Sequence, residues 1–242
     1  MLKIGSYNIQ KSIGVDARRR PERTLQVIRE MDCDILALQE ADRRFGPRQS
    51  TLCPEEIEEQ TDFQIVPLAV RSKSLGWHGN ALLVRKSARI LSCSRLDLPQ
   101  LEPRGAVTAE VEVKGIRIRI ASMHLSLVGT FRKRQILSIM DQIHSSAHDI
   151  PTVLVGDLNE WRDRASSLKL FSPHFEVTTP GRSFPSPMPV ASLDRIITSH
   201  SVRVMTSGVH TSSTARIASD HLPVWAELAI DQSERFSKAS LV

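Results

Sequence analysis

Hydrophobic and polar positions alternate in short runs along most of this chain, and a helical spacing appears in only a few places. The opening LKIGSYNI reads as a strand over residues 2–7. PERTLQVIREM follows, with Pro21 suited to a first helical turn and Leu25, Ile28 and Met31 on one face. DILALQE is an apolar run that ends in acid, a strand over 35–38. ALLVR (81–85), AVTAEVEV (106–113) and IRIRIASM (116–123) read as strands, and the last two carry the two-residue period of half-buried sheet. Gly115 between them marks a tight hairpin. Residues 130–148 read as a helix with the stripe Ile136, Met140 and Ile143, and Arg132, Lys133 and Arg134 near its start read as a solvated face. PTVLVGDLN is a buried strand ending in a polar turn, SLDRIIT, VRVMTSGV and LPVWAELAI are three further strands, and SFPSPMP (183–189) is a loop. The end is polar, so the expected division is one domain over 1–231 and a frayed tail over 232–242. Neither a repeat nor a linker interrupts the pattern. Strands mixed with a few helices predict an α/β or α+β sandwich.

Composition adds modest constraints. The 242 residues are 40% hydrophobic and 24% charged, ordinary for a globular protein with a sizeable core. The formal net charge is +5, which suits a phosphate-bearing partner. Cys33, Cys53 and Cys93 are odd in number and form no metal-binding spacing, so they read as buried or free thiols, with a reducing compartment implied. No apolar stretch approaches the ~20 residues of a membrane span. The first ten residues are too short and too alternating for a signal-peptide core. A soluble, cytoplasmic, monomeric protein without membrane insertion is expected.

The strand ends change the picture. Strand 2–7 runs into Asn8, 35–38 into Gln39 and Glu40, 116–123 into His124, and 153–155 into Gly156-Asp157-Leu158-Asn159. Asp194 interrupts the apolar SLDRII, and Asp220-His221 directly precedes the last strand. Singly, each has a mundane reading: a turn residue, a loop charge, an Asx-turn at Asp157 and Asn159. As a set, carboxylates, amides and histidines at strand ends meet the needs of a hydrolytic site built around a hard cation. Mg²⁺ takes oxygen ligands, one or two of them protein carboxylates, and Glu40 fits that role, with Asn8 and Asp220 as companions. A histidine beside an orienting carboxylate can accept a proton near neutral pH. His124, Asn159 and Arg104 can donate to phosphate oxygens.

YNI, LQE, HL after a strand, GDLN, LDRI and SDHLP occur here in that order. Together they resemble the endonuclease/exonuclease/phosphatase superfamily, the deoxyribonuclease-like metal-dependent phosphoesterases, over about residues 2–230. The resemblance implies a four-layer α/β sandwich of two mixed sheets packed face to face and flanked by helices. It implies Glu40 as principal Mg²⁺ ligand, Mn²⁺ being a substitute, with Asn8 at the same site and Asp220 assisting with metal or water. Asp157 and Asn159 would orient the attacking water and the scissile phosphate. His221 would be the general base, or the acid, oriented by Asp194. His124 would donate to a phosphate oxygen, Arg104 would contact phosphate, and Asn80 would support the site from a neighbouring strand. Pro223 would fix the backbone entering the last strand.

Those residues do not select the substrate, which in this superfamily ranges from nucleic acids to lipid headgroups and inositol phosphates. His124 stands where abasic-site enzymes usually carry tyrosine, and His78-Gly79-Asn80 offers no acid to pair with His124, which counts against a two-histidine nuclease mechanism. Basic loops DARRRPER (16–23) and ADRRFGPR (41–48) follow two of the site strands and read either as walls of a phosphate-binding cleft or as solvated charge. Trp77 and Phe184 lie in loops that could border the site. Phosphodiester cleavage is favoured over monoester cleavage. Two other readings remain: a catalytically silent binding module of the same fold, and a serine-type hydrolase using Ser219 or Ser122, which lacks a Gly-x-Ser-x-Gly elbow.

Overall fold

A computed structural model describes residues 1–44, 46–145 and 150–230. The chain-end tail expected at 232–242 lies outside the described residues, as does the end of the helix expected over 130–148. In chain order the elements are β1 (Leu2–Asn8), α1 (Pro21–Met31), β2 (Ile35–Gln39), α2 (Pro54–Gln60), β3 (Phe63–Ile65), β4 (Ala81–Arg85), β5 (Arg89–Leu96), β6 (Gly105–Val113), β7 (Ile116–His124), α3 (Gly129–His144), β8 (Thr152–Asp157), β9 (Phe175–Thr178), β10 (Asp194–Ser199), β11 (Val202–Val209), α4 (Ala215–Ala218) and β12 (Val224–Ile230). None of the described helices is long and apolar enough to cross a membrane.

Two six-stranded sheets result, ordered β11-β12-β1-β2-β4-β3 and β5-β6-β7-β8-β10-β9. Both are mixed: β1 and β2 run parallel in the first, β7 and β8 in the second, and the other pairings are antiparallel. The second sheet is one uninterrupted stretch of chain, after which the chain returns to the first sheet for β11 and β12.

The pleat sorts the apolar residues into three layers. Leu2 and Ile4 of β1, Ile35 and Ala37 of β2, Ile118 and Ile120 of β7, and Val153 and Val155 of β8 meet between the sheets. The alternate positions face outward. Tyr7, Leu36 and Leu38 are covered by Leu25, Val27, Ile28 and Met31 of α1. Ala121, Met123 and Leu154 are covered by Ile136, Ile139, Met140 and Ile143 of α3. Helix, sheet, sheet and helix make the four layers that the family resemblance implies. One expectation needs correction: Arg132 on α3 is not part of a solvated face. It is buried and donates to Glu160 at 2.8 Å, because its turn packs against the segment after β8. Lys133 and Arg134 beside it are exposed.

Close backbone approach fixes where β8 ends. Gly156 takes φ +148° beside Met123 of β7, and a Cβ there would lie 1.8 Å from the Met123 carbonyl oxygen. Gly156→Ala therefore combines overpacking with backbone strain and is expected to cost roughly 3 kcal/mol or more, read as a lowered urea midpoint. An unchanged midpoint would refute this account of the strand pair.

Candidate active site

The residues at the mouth of the sandwich continue the parity of its inner layer. Asn8 follows Leu2, Ile4 and Ser6 on β1, Gln39 follows Ile35 and Ala37, His124 follows Ile118, Ile120 and Ser122, and Asp157 follows Val153 and Val155. Asp194 opens β10 directly opposite Asp157, and His124 pairs with Asp157 across β7 and β8. A period of two that buries aliphatic side chains along each strand thus delivers polar ones to a single rim.

Asp157, 2% exposed, is the point where these residues converge. Its Oδ1 accepts the Asn159 amide at 2.9 Å, and its Oδ2 accepts Asn8 Nδ2 at 3.0 Å from the opposite sheet. Nε2 of His124 lies 3.4 Å and Nε2 of His221 3.7 Å from the same Oδ2. His221 Nδ1 meets Asp194 Oδ2 at 2.9 Å, an oxygen that also accepts Ser183 Oγ at 2.6 Å. Burial by itself would lower the imidazole pKa, but the carboxylates of Asp194 and Asp157 overcome it and push His221 up to about 9. Burial, with the nearby Asp194 charge adding, raises Asp157 to about 6 against the opposing pull of His221. Near pH 7.5 His221 is therefore an imidazolium and Asp157 a carboxylate.

The second half of the rim is cationic. Arg104, just before β6, directs an N–H onto the His124 ring, 3.0 Å from Nδ1, and lies 3.8 Å from Glu40 Oε1. Burial, then the Arg104 charge, holds His124 well below its ordinary value, so it stays neutral. Beyond β2 the chain turns out of the sheet at Glu40, which takes φ +54°. Gln10, Lys11 and Ser12 are likewise left-handed, a tight turn that hydrogen-bonds Lys11 N to the Glu40 carbonyl at 3.1 Å and lays Lys11 Nζ on the Glu40 carboxylate.

Other predicted positions have different partners. Both polar atoms of the Asn8 side chain are engaged, since Oδ1 accepts the Gln10 amide while Nδ2 holds Asp157. Asn159 donates through Nδ2 to the Leu125 carbonyl at 2.9 Å. Asn80 donates to the Gly105 carbonyl at 3.0 Å, and the hydroxyl of Ser122 is 3.4 Å from its Oδ1. The half-buried Asp220 has its carboxylate 3.4 Å from the Ser219 hydroxyl and its amide on Gln10 Oε1. Ser219 Oγ itself donates to the Asn8 carbonyl, so it holds a turn and does not face His221 as a nucleophile would.

Among the described residues, no group of three or more His, Cys, Asp or Glu side chains is gathered as a metal cage. The donor chemistry nevertheless fits a magnesium-type cation, which needs one or two carboxylates and completes its shell with water and substrate oxygens. Glu40 is such a carboxylate, and its present partners are themselves cations.

Sequence reasoning missed Lys11, Ser183, Glu102 and Trp161. Glu102 Oε2 is 3.5 Å from Arg104 Nε and steadies that side chain. The Phe184 ring lies 4.9 Å from His221 between ring centres, and Trp161, 59% exposed, stands 5.9 Å beyond Phe184 edge to face. Trp161 lies two residues past GDLN, and a tryptophan beside a polar turn was the available signal.

This two-sheet architecture with acids, amides and imidazoles on one rim defines a hydrolase-like α/β sandwich. The chain belongs to the Endonuclease/Exonuclease/phosphatase family, whose model matches residues 5–221. Members of that family are generally phosphoester-cleaving hydrolases. Solved structures share the fold at low identity. A functionally unknown conserved protein from Enterococcus faecalis V583 superposes with TM-score 0.76 at 19% identity, covering 95% of this chain and 100% of that one. The mannosyl-6-phosphatase Bt3783 of Bacteroides thetaiotaomicron VPI-5482 gives 0.73 at 18%, covering 95% and 100%. The human Nocturnin catalytic domain with bound sulfate anion gives 0.71 at 19%, covering 95% and 93%. No curated protein sequence matches the chain.

The charge state of the histidine is directly measurable. Nitrogen-15 NMR is expected to find His221 protonated at pH 7.5, titrating near 9, with a fall toward the ordinary histidine value in Asp194→Asn. A neutral His221 at that pH would contradict the electrostatic account.

Proposed function

We propose that this protein is a divalent-metal-assisted phosphodiesterase that drives water onto phosphorus at the rim of the sandwich. The observation that carries the reading is the continuous path of polar contacts from Glu40 through Arg104, His124 and Asp157 to His221 and Asp194. It offers a proton acceptor, fixed positive charge and hydrogen-bond donors around one small volume, the elements that a negatively charged phosphoryl transition state requires.

The roles follow from charge. Because His221 keeps its proton across neutral pH, the acceptor of the water's proton is assigned to Asp157, whose raised pKa of about 6 leaves it basic enough to act and still ionised. The His221 imidazolium, held by Asp194, faces the growing charge on phosphoryl oxygens and can deliver a proton to the departing oxygen. Arg104 and neutral His124 bind the remaining oxygens. Asn8 and Asn159 keep the Asp157 carboxylate aimed. Glu40 would hold Mg²⁺ or Mn²⁺, which offsets charge on the phosphate and polarises its bonds when bound. The diester reading draws on the two flanks of the path: arginines beyond Glu40 on one side, the rings of Phe184 and Trp161 beyond His221 on the other. A phosphate with substituents on both sides has use for both.

Two outcomes are expected with purified protein and Mg²⁺. First, bis(p-nitrophenyl) phosphate turns over faster than p-nitrophenyl phosphate, EDTA abolishes turnover, and Asp157→Asn or His221→Ala each lowers kcat about 10²- to 10⁴-fold. Monoester turnover alone would make the protein a phosphomonoesterase, and chelator-insensitive turnover would defeat the metal role. Second, the rate rises as Asp157 loses its proton through about pH 6 and falls as His221 loses its own through about pH 9. Asp194→Asn moves the alkaline limb to lower pH, because the charge that raises His221 is gone. A pH profile flat across that range would sink these assignments.

A further inference from the structure

Beyond Glu40 the rim opens into a second groove of about 430 Å³, lined among the described residues by Lys11, Arg19, Arg43 and Arg44 and by no carboxylate. It is continuous with the catalytic cleft, since Lys11, Arg43 and Arg44 line both. Two separate loops build it. Arg19 arrives from the loop after β1, which is closed by a bridge between Ile13 and Arg19 and by Arg19 Nε donating to the Lys11 carbonyl at 3.2 Å. Arg43 and Arg44 come from the loop after β2, pinned where Asp42 bridges Ser50 and the Arg43 amide meets the Gln49 carbonyl at 2.9 Å.

Among the described residues, Arg19, Arg43 and Arg44 make no ion pair, whereas the neighbouring Arg20 and Arg23 are matched by Glu22 and Asp16. The charge of Arg44 is felt at Lys11, Arg104 and His124, so the groove raises the positive potential inside the cleft as well as beside it. Lys11 is matched by Glu40, but the exposed Arg19, Arg43 and Arg44 repel one another with no ion-pair partner of their own among the described residues, and an anion shared between them would relieve that repulsion.

We propose that the groove formed by Lys11, Arg19, Arg43 and Arg44 is a subsite for a second, non-scissile phosphate, so that the preferred substrate is a phosphodiester carrying at least one further phosphate on that side. This inference rests on the phosphodiesterase reading and deepens it. The shared chemistry is the second phosphate, whether it belongs to a compact nucleotide or to the next link of a polynucleotide.

The test compares the wild type with the double variant Arg43→Ala/Arg44→Ala, both positions being exposed. The compact pair of substrates is the p-nitrophenyl ester of thymidine 5′-phosphate with and without a 3′-phosphate. The polymer arm is a labelled eight-residue oligothymidylate. In the wild type the 3′-phosphate raises kcat/KM at least tenfold, chiefly through KM, and the double variant loses that preference. Arg134→Ala, on the exposed face of α3, keeps it. Loss with the compact pair identifies a single-phosphate subsite. Loss only with oligothymidylate, with a shallower salt dependence of its binding, identifies a polynucleotide path. Either result supports the subsite. Equal preference and equal oligothymidylate affinity in wild type and double variant would overturn it. Should the wild type hydrolyse none of these compounds, the phosphodiesterase reading falls. Anisotropy of the labelled oligothymidylate then decides the groove alone: a tenfold weaker Kd in the double variant supports it, and an unchanged Kd overturns it.

Discussion

A carboxylate shut away from water must be answered by charge or by donors, and the carboxylate of Asp157 finds half of its answer on the other sheet. Asn8 reaches it from the end of β1, and His221 from the turn before β12, while Asp194 on its own sheet holds the far side of the same imidazole. The polar contacts that organise the rim are therefore also contacts between the two layers. A slip of one residue in β1, β8 or β10 would send Asn8, Asp157 or Asp194 to the outer face and leave its partners buried and unmatched. The aliphatic inner layer and the ionic rim enforce one register between them.

The rim is electrically lopsided, and this shapes what it can hold. Around His221 two carboxylates face one imidazolium. Around Glu40, Lys11 and Arg104 face one carboxylate, with more arginines behind them. Lys11 is central to that second arrangement, because the left-handed turn over Gln10–Ser12 leaves its ammonium no better partner than Glu40. A divalent ion held by Glu40 would compete there with the tethered charge of Lys11.

Much of the framework was legible because the pleat is written plainly in β1, β2, β6, β7 and β8. Alternation in IRIRIASM and AVTAEVEV specifies both strand and face, and carrying the same parity one step further leads to Asn8, His124 and Asp157. The bounds of α1 followed from Pro21 and the spacing of its apolar residues. What escaped notice lacked such a pattern. β5 is an edge strand whose residues are mostly exposed, so its sequence shows little alternation. β3 and β9 are three and four residues long. α2 is short and acidic, with Ile57 its one buried residue. At the rim, residues delivered by strands could be read from parity, whereas Lys11, Ser183 and Trp161 are delivered by turns whose geometry no periodicity encodes. Arg132 misled for a related reason: three consecutive basic residues look alike in sequence, and only packing against Glu160 distinguishes the first.

The chain's path through the two sheets carries a consequence for the rim. It completes the whole second sheet before returning for β11 and β12, and the imidazole at the rim comes in on that return. In chain order Glu40, Arg104, His124, Asp157 and Asp194 all precede His221. Among the described residues β12 is the last strand in chain order, and its pairing with β1 is what brings His221 to the rim.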